Sequence, residues 1–115
     1  MPRTTSPAAQ RRTHAMLFAA LGDATRLALV AKLSGGEPRS ISELTSGSAL
    51  TRQAITKHLQ VLQNAKIVHG IRAGRENLFK FNPQPLAEIK TYLDRVSEQW
   101  DESLSRLKSF VENEP

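Results

Sequence analysis

Residues 51–65, TRQAITKHLQVLQNA, carry the most informative pattern in this sequence. Projected as a helix at about 100° per residue, the stretch places Ile55, Leu59 and Leu62 on one side. The other side, with its flank, carries amide, ammonium and hydroxyl groups, from Gln53, Thr56, Lys57, Gln60 and Asn64. No acidic residue occurs between Thr51 and Ala65. The stretch therefore predicts an amphipathic helix, capped by Thr51, whose exposed face is polar and basic.

A shorter helix is predicted directly before this one. Ser40-Ile41-Ser42-Glu43 has the spacing of a capping box, in which the serine hydroxyl and the glutamate carboxylate accept each other's free backbone N–H groups. This helix is expected to bury Ile41 and Leu44 and to end near Gly47. Because only the short link Ser46–Leu50 separates the two helices, the pair is a candidate helix-turn-helix.

A basic hairpin is predicted directly after residues 51–65. Val68–Arg72 and Asn77–Phe81 have strand character, and Ala73-Gly74-Arg75-Glu76 is expected to form a four-residue loop with glycine where a positive φ is needed. Arg72 and Arg75 flank the loop tip. A basic helix followed by a basic hairpin is more specific than either feature alone, and the combination favours contact with a polyanion.

The remaining helices follow from apolar periodicity. A first helix is expected from about Ala9 to Leu21, and a second begins after the N-cap Asp23 and ends at Gly35-Gly36. The inward residues of the second helix are predicted to be Leu27, Val30, Ala31 and Leu33. A long last helix, about residues 85–111, carries one apolar stripe. The stripe consists of Leu86, Ile89, Leu93, Val96, Trp100, Leu104, Leu107 and Val111.

The predicted fold is mainly α with a small β-hairpin, in the order ααααββα. Residues 1–12 are expected to be a basic, flexible tail, and residues 13–115 a single domain with one core. No apolar run reaches the roughly 18–20 residues that span a bilayer, and the run Met16–Leu21 is shorter than the apolar part of a signal peptide. We therefore expect a cytoplasmic protein that does not engage a membrane.

Positive charge is concentrated in the middle of the chain, whose net charge is +5. Residues 51–82 hold six basic side chains and one acidic side chain, whereas residues 83–115 hold four basic and seven acidic ones. The predicted helix and hairpin therefore form the part of the chain suited to a polyanion, and the last helix is the part least suited to one.

Catalytic and metal-binding functions are disfavoured by the residues present. The sequence contains no cysteine, so thiol chemistry and cysteine-bound metals are excluded. The three histidines, His14, His58 and His69, do not cluster with acids in the sequence, and no HExxH, GxSxG, P-loop or GxGxxG motif occurs. We predict no catalytic residue, no metal site and no cofactor.

Three segments resemble the ArsR-type (ArsR/SmtB) winged helix-turn-helix repressors. Residues 21–27, LGDATRL, resemble the family's L-D-P-T-R opening, and residues 51–62, TRQAITKHLQVL, resemble its recognition helix, written near S-Q-P-A-V-S-R-H-L-K-V-L. Ile67-Val68 and Arg72-Ala73-Gly74-Arg75 are similar to the strand and wing that follow. The similarity covers about residues 13–82. One departure is Lys66, where the family usually has glycine after the helix.

The resemblance implies a homodimer that binds a near-palindromic operator in double-stranded DNA and represses transcription, in some members that of its own operon. The first and last helices would form the dimer interface, with Met16, Leu17, Leu86, Ile89, Leu93, Val96 and Trp100 as its expected residues. The family's metal motifs require cysteines on the third helix or histidines on the last, and this chain has neither. The resemblance leaves a small-molecule effector unidentified.

The exposed residue types of the 51–65 helix suit the DNA major groove. Glutamine pairs with adenine, lysine with guanine, and threonine with a base edge or the thymine methyl group. We therefore expect base contacts from this face, phosphate contacts at the start of the helix, and further contacts from the hairpin. The predicted DNA-binding residues are Thr51, Arg52, Gln53, Thr56, Lys57, Gln60, Arg72 and Arg75.

A different class of function is a winged-helix module that binds another protein, or an antirepressor that does not bind DNA. Such a module predicts acidic residues on the fourth helix or on the hairpin. Only Glu76 meets that description here.

Overall fold

The computed structural model describes residues 6–113. Its elements are α1 (Pro7–Leu21), α2 (Ala24–Leu33), β1 (Arg39–Ser40), α3 (Ile41–Thr45), α4 (Arg52–Asn64), β2 (Val68–Ala73), β3 (Glu76–Phe81) and α5 (Gln84–Glu112). The chain divides into two compact units, one ending at Pro85 and one beginning at Leu86. The predicted helices and the hairpin are all present in the predicted order, with one additional short strand.

Helix α1 begins earlier than expected. Ser6 is its N-cap, because the Ser6 hydroxyl accepts the N–H of Ala9 at 3.2 Å. Pro7 follows at the first helical position, where its missing N–H leaves no bond unmade. Residues 7–12, expected as part of a flexible tail, are therefore helical, whereas residues 1–5 of that tail lie outside the described residues.

The start of α2 is confirmed, but its buried face differs from the prediction. Asp23 caps the helix, and its Oδ2 accepts the N–H of Arg26 at 3.0 Å. Leu29, Val30 and Leu33 are the buried residues. Leu27 is 51% exposed and Ala31 is also exposed, so both were wrongly assigned to the core. Apolar residues occur all around this helix, so periodicity alone does not select one face.

The predicted capping box of α3 is confirmed at both of its bonds. The Ser40 hydroxyl accepts the N–H of Glu43 at 3.1 Å, and the Glu43 carboxylate accepts the N–H of Ser40 at 3.2 Å. Leu44 of this short helix is completely buried. The box fixes the start of α3 and thereby its approach to α4.

The fourth helix is also capped and buried as predicted. Thr51 Oγ1 accepts the N–H of Ala54 at 3.1 Å. Ile55, Leu59 and Leu62 are at most 1% exposed and form the centre of the core of the first unit. Lys66 follows the helix with a φ of 62°. This is the left-handed conformation for which glycine is preferred, which accounts for the glycine that the family usually has there.

The sheet has three antiparallel strands in the order β1-β3-β2. The β2–β3 register pairs Ala73 with Glu76, so the hairpin loop has two residues, Gly74 and Arg75, and not the four predicted. Gly74 has a φ of +62°, and Arg75 has no positive φ. Glycine at the first position of a two-residue loop is typical of a type II′ turn, whose twist matches that of the flanking strands.

Strand β1 was not predicted. Its two residues pair with β3 in the register Arg39↔Phe79 and Ser40↔Leu78. A segment of two residues is too short to show the alternation by which a strand is recognised in sequence.

Helix α5, the main element of the second unit, has 29 residues. Several large apolar side chains along it are exposed: Leu93, Trp100, Leu104, Leu107, Phe110 and Val111. Within residues 6–113, no helix combines the length and the apolar character needed to cross a membrane.

Candidate nucleic-acid interface

The turn between α3 and α4 fixes the direction of the fourth helix. Gly47 supplies a positive φ of +76°, and the N–H of Ser46 bonds to the carbonyl of Ser42 at 3.1 Å. The Ser48 hydroxyl then accepts the N–H of Leu50 at 3.1 Å. These bonds lead the chain into the N-cap Thr51. With one face of α4 buried in the core, the opposite face is left exposed.

Four of the predicted DNA-binding side chains on α4 are exposed and uncommitted. The side chains of Arg52, Gln53, Lys57 and Gln60 form no hydrogen bond or ion pair within residues 6–113, and each is exposed. The helix also has no acidic residue that would neutralise this face. The four groups are available to phosphate oxygens and base edges.

The two predicted threonines of α4 already make bonds within the helix. Thr51 Oγ1 accepts the N–H of Ala54, which leaves the hydroxyl proton available to an external acceptor. Thr56 Oγ1 donates to the carbonyl of Arg52 at 2.8 Å. With its proton used, Thr56 retains only an acceptor oxygen and its methyl group for a ligand. Thymine's methyl group, or an amino group of adenine or cytosine, therefore fits Thr56 best.

The hairpin presents a second basic surface. Arg75 lies in the two-residue loop and Arg72 on β2, and both side chains are exposed. Neither forms an ion pair or a hydrogen bond among the described residues. Two basic side chains elsewhere in the first unit are used internally: Lys32 donates to the carbonyl of Leu44 and Arg39 to that of Lys32. The uncommitted cations thus include those of α4 and the loop.

Arg26 and His58 form a half-buried link that sequence reasoning missed. Arg26 Nη1 lies 3.1 Å from His58 Nδ1, while its Nε donates to the carbonyl of Ala20 at 2.6 Å. His58 lies on α4 beside Lys57, so this guanidinium connects α4 to the ends of α1 and α2. A sequence signal for this link existed in residues 21–27, LGDATRL, which contain Arg26. A half-buried arginine has five N–H donors and needs several acceptors nearby.

Asp23 lies beside this link, and we call the three residues the Asp23–Arg26–His58 corner. Its Oδ2 lies 3.7 Å from His58 Nδ1. The pKa of Asp23 is lowered chiefly because its carboxylate accepts the backbone N–H of Arg26, and the positive charge of Arg26 lowers it further.

The expected dimer residues differ in exposure. Met16 is 47% exposed, whereas Leu17 is completely buried within one chain and contributes to the core of the protomer. Along α5, Leu93 and Trp100 are exposed, Leu86 and Val96 are half-buried, and Ile89 is buried.

The fold and the exposed basic helix define a winged helix-turn-helix protein. Residues 21–71 match the family model of a helix-turn-helix domain. The chain is 34% identical over 95 residues to the HTH-type transcriptional regulator Rv2034 of Mycobacterium tuberculosis, covering 83% of this chain and 85% of that protein. It is 31% identical to the HTH-type transcriptional repressor SmtB of the same species, over 76% of this chain and 63% of SmtB.

A solved structure agrees with these relatives. The ArsR-like transcriptional regulator from Rhodococcus sp. RHA1 superposes with a TM-score of 0.78 at 32% identity, covering 91% of this chain and 98% of that chain. The chain belongs to the ArsR-type winged helix-turn-helix transcriptional regulators. These are DNA-binding proteins and not enzymes.

Proposed function

We propose that this protein is a homodimeric repressor that binds a near-palindromic operator, with α4 in the major groove. The observation that carries the proposal is the face of α4 on which Arg52, Gln53, Lys57 and Gln60 are exposed and uncommitted. Gln53, Thr56 and Lys57 contact base edges, and Gln60 extends the same face. Thr51 and Arg52 bind phosphates, where the free N–H groups of the helix N-terminus add positive potential.

The hairpin acts as the wing in this proposal. Arg72 and Arg75 bind the DNA backbone or the adjacent groove. The glycine turn supports this role, because a two-residue loop holds Arg75 at the tip of two paired strands. Neither arginine loses an internal partner when it binds phosphate, so DNA has no intramolecular ion pair to displace there.

Dimer formation is supported by the exposed apolar surface of α5. Trp100, Leu104 and Phe110 are 65%, 56% and 67% exposed, which is unusual for a run of large apolar side chains on one helix. We propose that α5 and the exposed part of α1, including Met16, contribute to the interface. Two copies of α4 then lie about 34–36 Å apart, which is one turn of DNA.

Repression, as opposed to activation, is supported by the similarity to a relative named as a repressor. A dimer that covers two successive major grooves occupies a stretch of promoter DNA, and such occupancy excludes other proteins from it. The chain's own promoter is the natural first candidate for the operator, because the resemblance includes regulators of their own operon.

The test is a fluorescence-anisotropy titration with labelled DNA from upstream of the chain's own gene, at two salt concentrations, with an unrelated duplex as competitor. We expect preferential binding that saturates at two chains per site. Lys57→Ala should weaken this binding by about 1–3 kcal/mol, the range for a base-contacting side chain. Lys90→Ala is the matched control, since it removes one exposed helical lysine from α5, where Lys90 pairs with Asp94.

Two results contradict the proposal. Equal losses of DNA affinity in Lys57→Ala and Lys90→Ala mean that only the net charge of the protein matters, and that α4 has no special position on DNA. Binding that is weak, indifferent to sequence and lost with salt in every duplex tried leaves only the electrostatic attraction between a basic protein and DNA.

A further inference from the structure

The Asp23–Arg26–His58 corner places one histidine nitrogen between a cation and an anion. His58 Nδ1 lies 3.1 Å from Arg26 Nη1 and 3.7 Å from Asp23 Oδ2. The imidazole is largely shielded, with a side-chain exposure of 23%. Only one of the two neighbours is at hydrogen-bond distance, and it is the arginine.

The protonation state of His58 decides which neighbour it binds. A guanidinium only donates, so the observed bond requires a lone pair on Nδ1 and hence a neutral ring with its proton on Nε2. When the ring is protonated, Nδ1 becomes a donor that opposes the Arg26 donor and adds a like charge. The same N–H then has an acceptor in Asp23, after a movement of about 1 Å that brings the pair to hydrogen-bond distance.

The charged groups around His58 come from a small number of elements. Helix α2 and its cap supply Asp23 and Arg26, the two residues whose bonds involve the imidazole. Helix α1 contributes carbonyls in its last turn, and its charged or titratable residues are confined to Arg11, Arg12 and His14.

The other elements that pack against α4 bring no further partner. Helix α3 carries Glu43, which is engaged with Ser40 and Arg39. Strand β2 carries His69 and Arg72, both exposed and neither bonded to His58. Helix α4 itself adds Arg52 and Lys57 and no acid.

We infer that His58 is a proton-dependent switch in the attachment of α4: protonation moves Nδ1 from Arg26 to Asp23 and thereby weakens operator-specific binding. Among side chains, histidine is the one whose ordinary change of charge falls between about pH 5 and 8. Arg26 also holds the carbonyls of Ala19 and Ala20, so its bond to His58 ties α4 to two other helices. Once that bond breaks, α4 loses its link through Arg26 to the last turn of α1, and the new bond to Asp23 ties it to the start of α2 alone.

The effect on DNA is specific because position and charge act in opposite directions. Base contacts require α4 to be held in position, whereas non-specific binding depends mainly on positive charge, which protonation increases. The ratio of operator affinity to unrelated-duplex affinity therefore decreases as the pH is lowered. We expect a loss of about tenfold between pH 7.5 and pH 5.8, the factor for one hydrogen bond to a charged group.

The first part of the test uses NMR on the intact wild-type protein without DNA. Long-range 1H–15N spectra assign the protons of the three imidazoles across pH 5–8. We expect an unprotonated Nδ1 and a protonated Nε2 on His58 at high pH, and loss of the Arg26 Nη–His58 coupling as the ring is protonated. A proton on Nδ1 at high pH, or an unchanged Arg26 side-chain signal through the titration, overturns the switch.

The second part rests on the proposed function and uses the anisotropy assay at both pH values. His58→Asn keeps an acceptor near the Nδ1 position but cannot be protonated, so its affinity ratio should not change with pH. His69→Asn, an exposed histidine outside the corner, is the control and should behave like wild type. Equal pH dependence in His58→Asn and wild type overturns the effect on DNA.

The two parts separate the possible failures. If wild type shows no preference for any promoter DNA at pH 7.5, the proposed function fails, and with it the consequence for DNA. The NMR titration still shows whether His58 Nδ1 changes its bonding partner from Arg26 to Asp23.

Discussion

The backbone N–H of Ile67 donates to the carbonyl of Leu62 at 3.0 Å, across the end of α4. Directly inside it, the N–H of Lys66 donates to the carbonyl of Gln63 at 2.9 Å. The two bonds form a Schellman motif, and Leu62 and Ile67 are both completely buried, as the accompanying apolar contact requires. The motif needs a left-handed residue between them, and this chain uses lysine there.

Lys66→Gly should therefore stabilise the protein. A non-glycine residue in the left-handed conformation costs about 1–2 kcal/mol. The greater freedom of glycine in the unfolded chain offsets part of this, and we expect a gain of about 0.5–1 kcal/mol in the free energy of unfolding by urea. Lys66→Ala is the control because it removes the same charge but keeps the strain. If the glycine variant is no more stable than the alanine variant, the strain is absent.

Gly74→Ala should destabilise the wing. The φ of +62° at Gly74 is unfavourable for alanine although no atom lies near its missing Cβ. We expect a loss of about 1 kcal/mol in stability, measured by urea unfolding, and faster amide exchange along β2 and β3. Gly35→Ala is the matched control, since Gly35 also has open space and lacks a positive φ. Similar losses in both variants would show that the turn conformation is not the cause.

Asp23 should contribute to stability in a pH-dependent manner. Its pKa is below the ordinary value of 3.8, because the folded state favours the carboxylate that accepts the N–H of Arg26. Its contribution is therefore present above that ordinary value and is lost as the pH falls through the lowered one. We expect wild type to be more stable than Asp23→Asn at pH 5, and the difference to shrink below pH 4 in urea titrations.

The matched control for Asp23 is Glu37→Gln. Glu37 is exposed and has no bond among the described residues. Its difference from wild type should stay nearly constant over the same pH range. A constant difference for Asp23→Asn as well would refute the coupling between this carboxylate and folding.

Trp100 should report dimer formation directly. It is the only tryptophan in the chain and is 65% exposed in one protomer. We expect its emission maximum to shift to longer wavelength on dilution, in parallel with the change from dimer to monomer in sedimentation. Leu107→Glu should move the transition to higher concentration, whereas Ser103→Glu, on a polar position of the same helix, should not. A protein that remains monomeric at micromolar concentration contradicts the proposed interface.

Gln53→Ala should change the sequence preference of DNA binding, whereas Arg75→Ala should change its overall strength. A base-contacting glutamine determines preference at one position, so Gln53→Ala should alter relative affinities among operator variants, by about 1–3 kcal/mol at that position. Loss of a phosphate-binding arginine should weaken binding to all sequences and reduce the slope of log affinity against log salt by about one. Unchanged relative affinities in Gln53→Ala would remove its assigned role.

Three of the four helix starts that a side chain caps were predictable here, and the Ser6 cap of α1 was missed. Asp23, Ser40 and Thr51 each cap a helix through a bond to a backbone N–H three residues later, and each was identified from residue type and position. The buried face of α4 was predictable for a related reason, since its polar and apolar residues segregate cleanly by helical angle.

Features that depend on distant partners were not predictable. Strand β1 exists because Arg39 and Ser40 meet β3, almost forty residues further along the chain. The burial of Leu29 in place of Leu27 is decided by what packs against α2, which no local pattern records. Likewise, the Arg26–His58 bond joins residues that are 32 positions apart, and only the fold brings them together.

Strand β3 has the central place in the sheet, with β2 on one side and β1 on the other. Ser40 is at once the last residue of β1 and the N-cap of α3, so backbone hydrogen bonds run without interruption from the hairpin to the helix-turn-helix. The two parts proposed to contact DNA are thus joined through β3 and Ser40. If they bind DNA as proposed, a tilt of the hairpin would be passed through β3 to the start of α3, and the two parts would adjust to the double helix together.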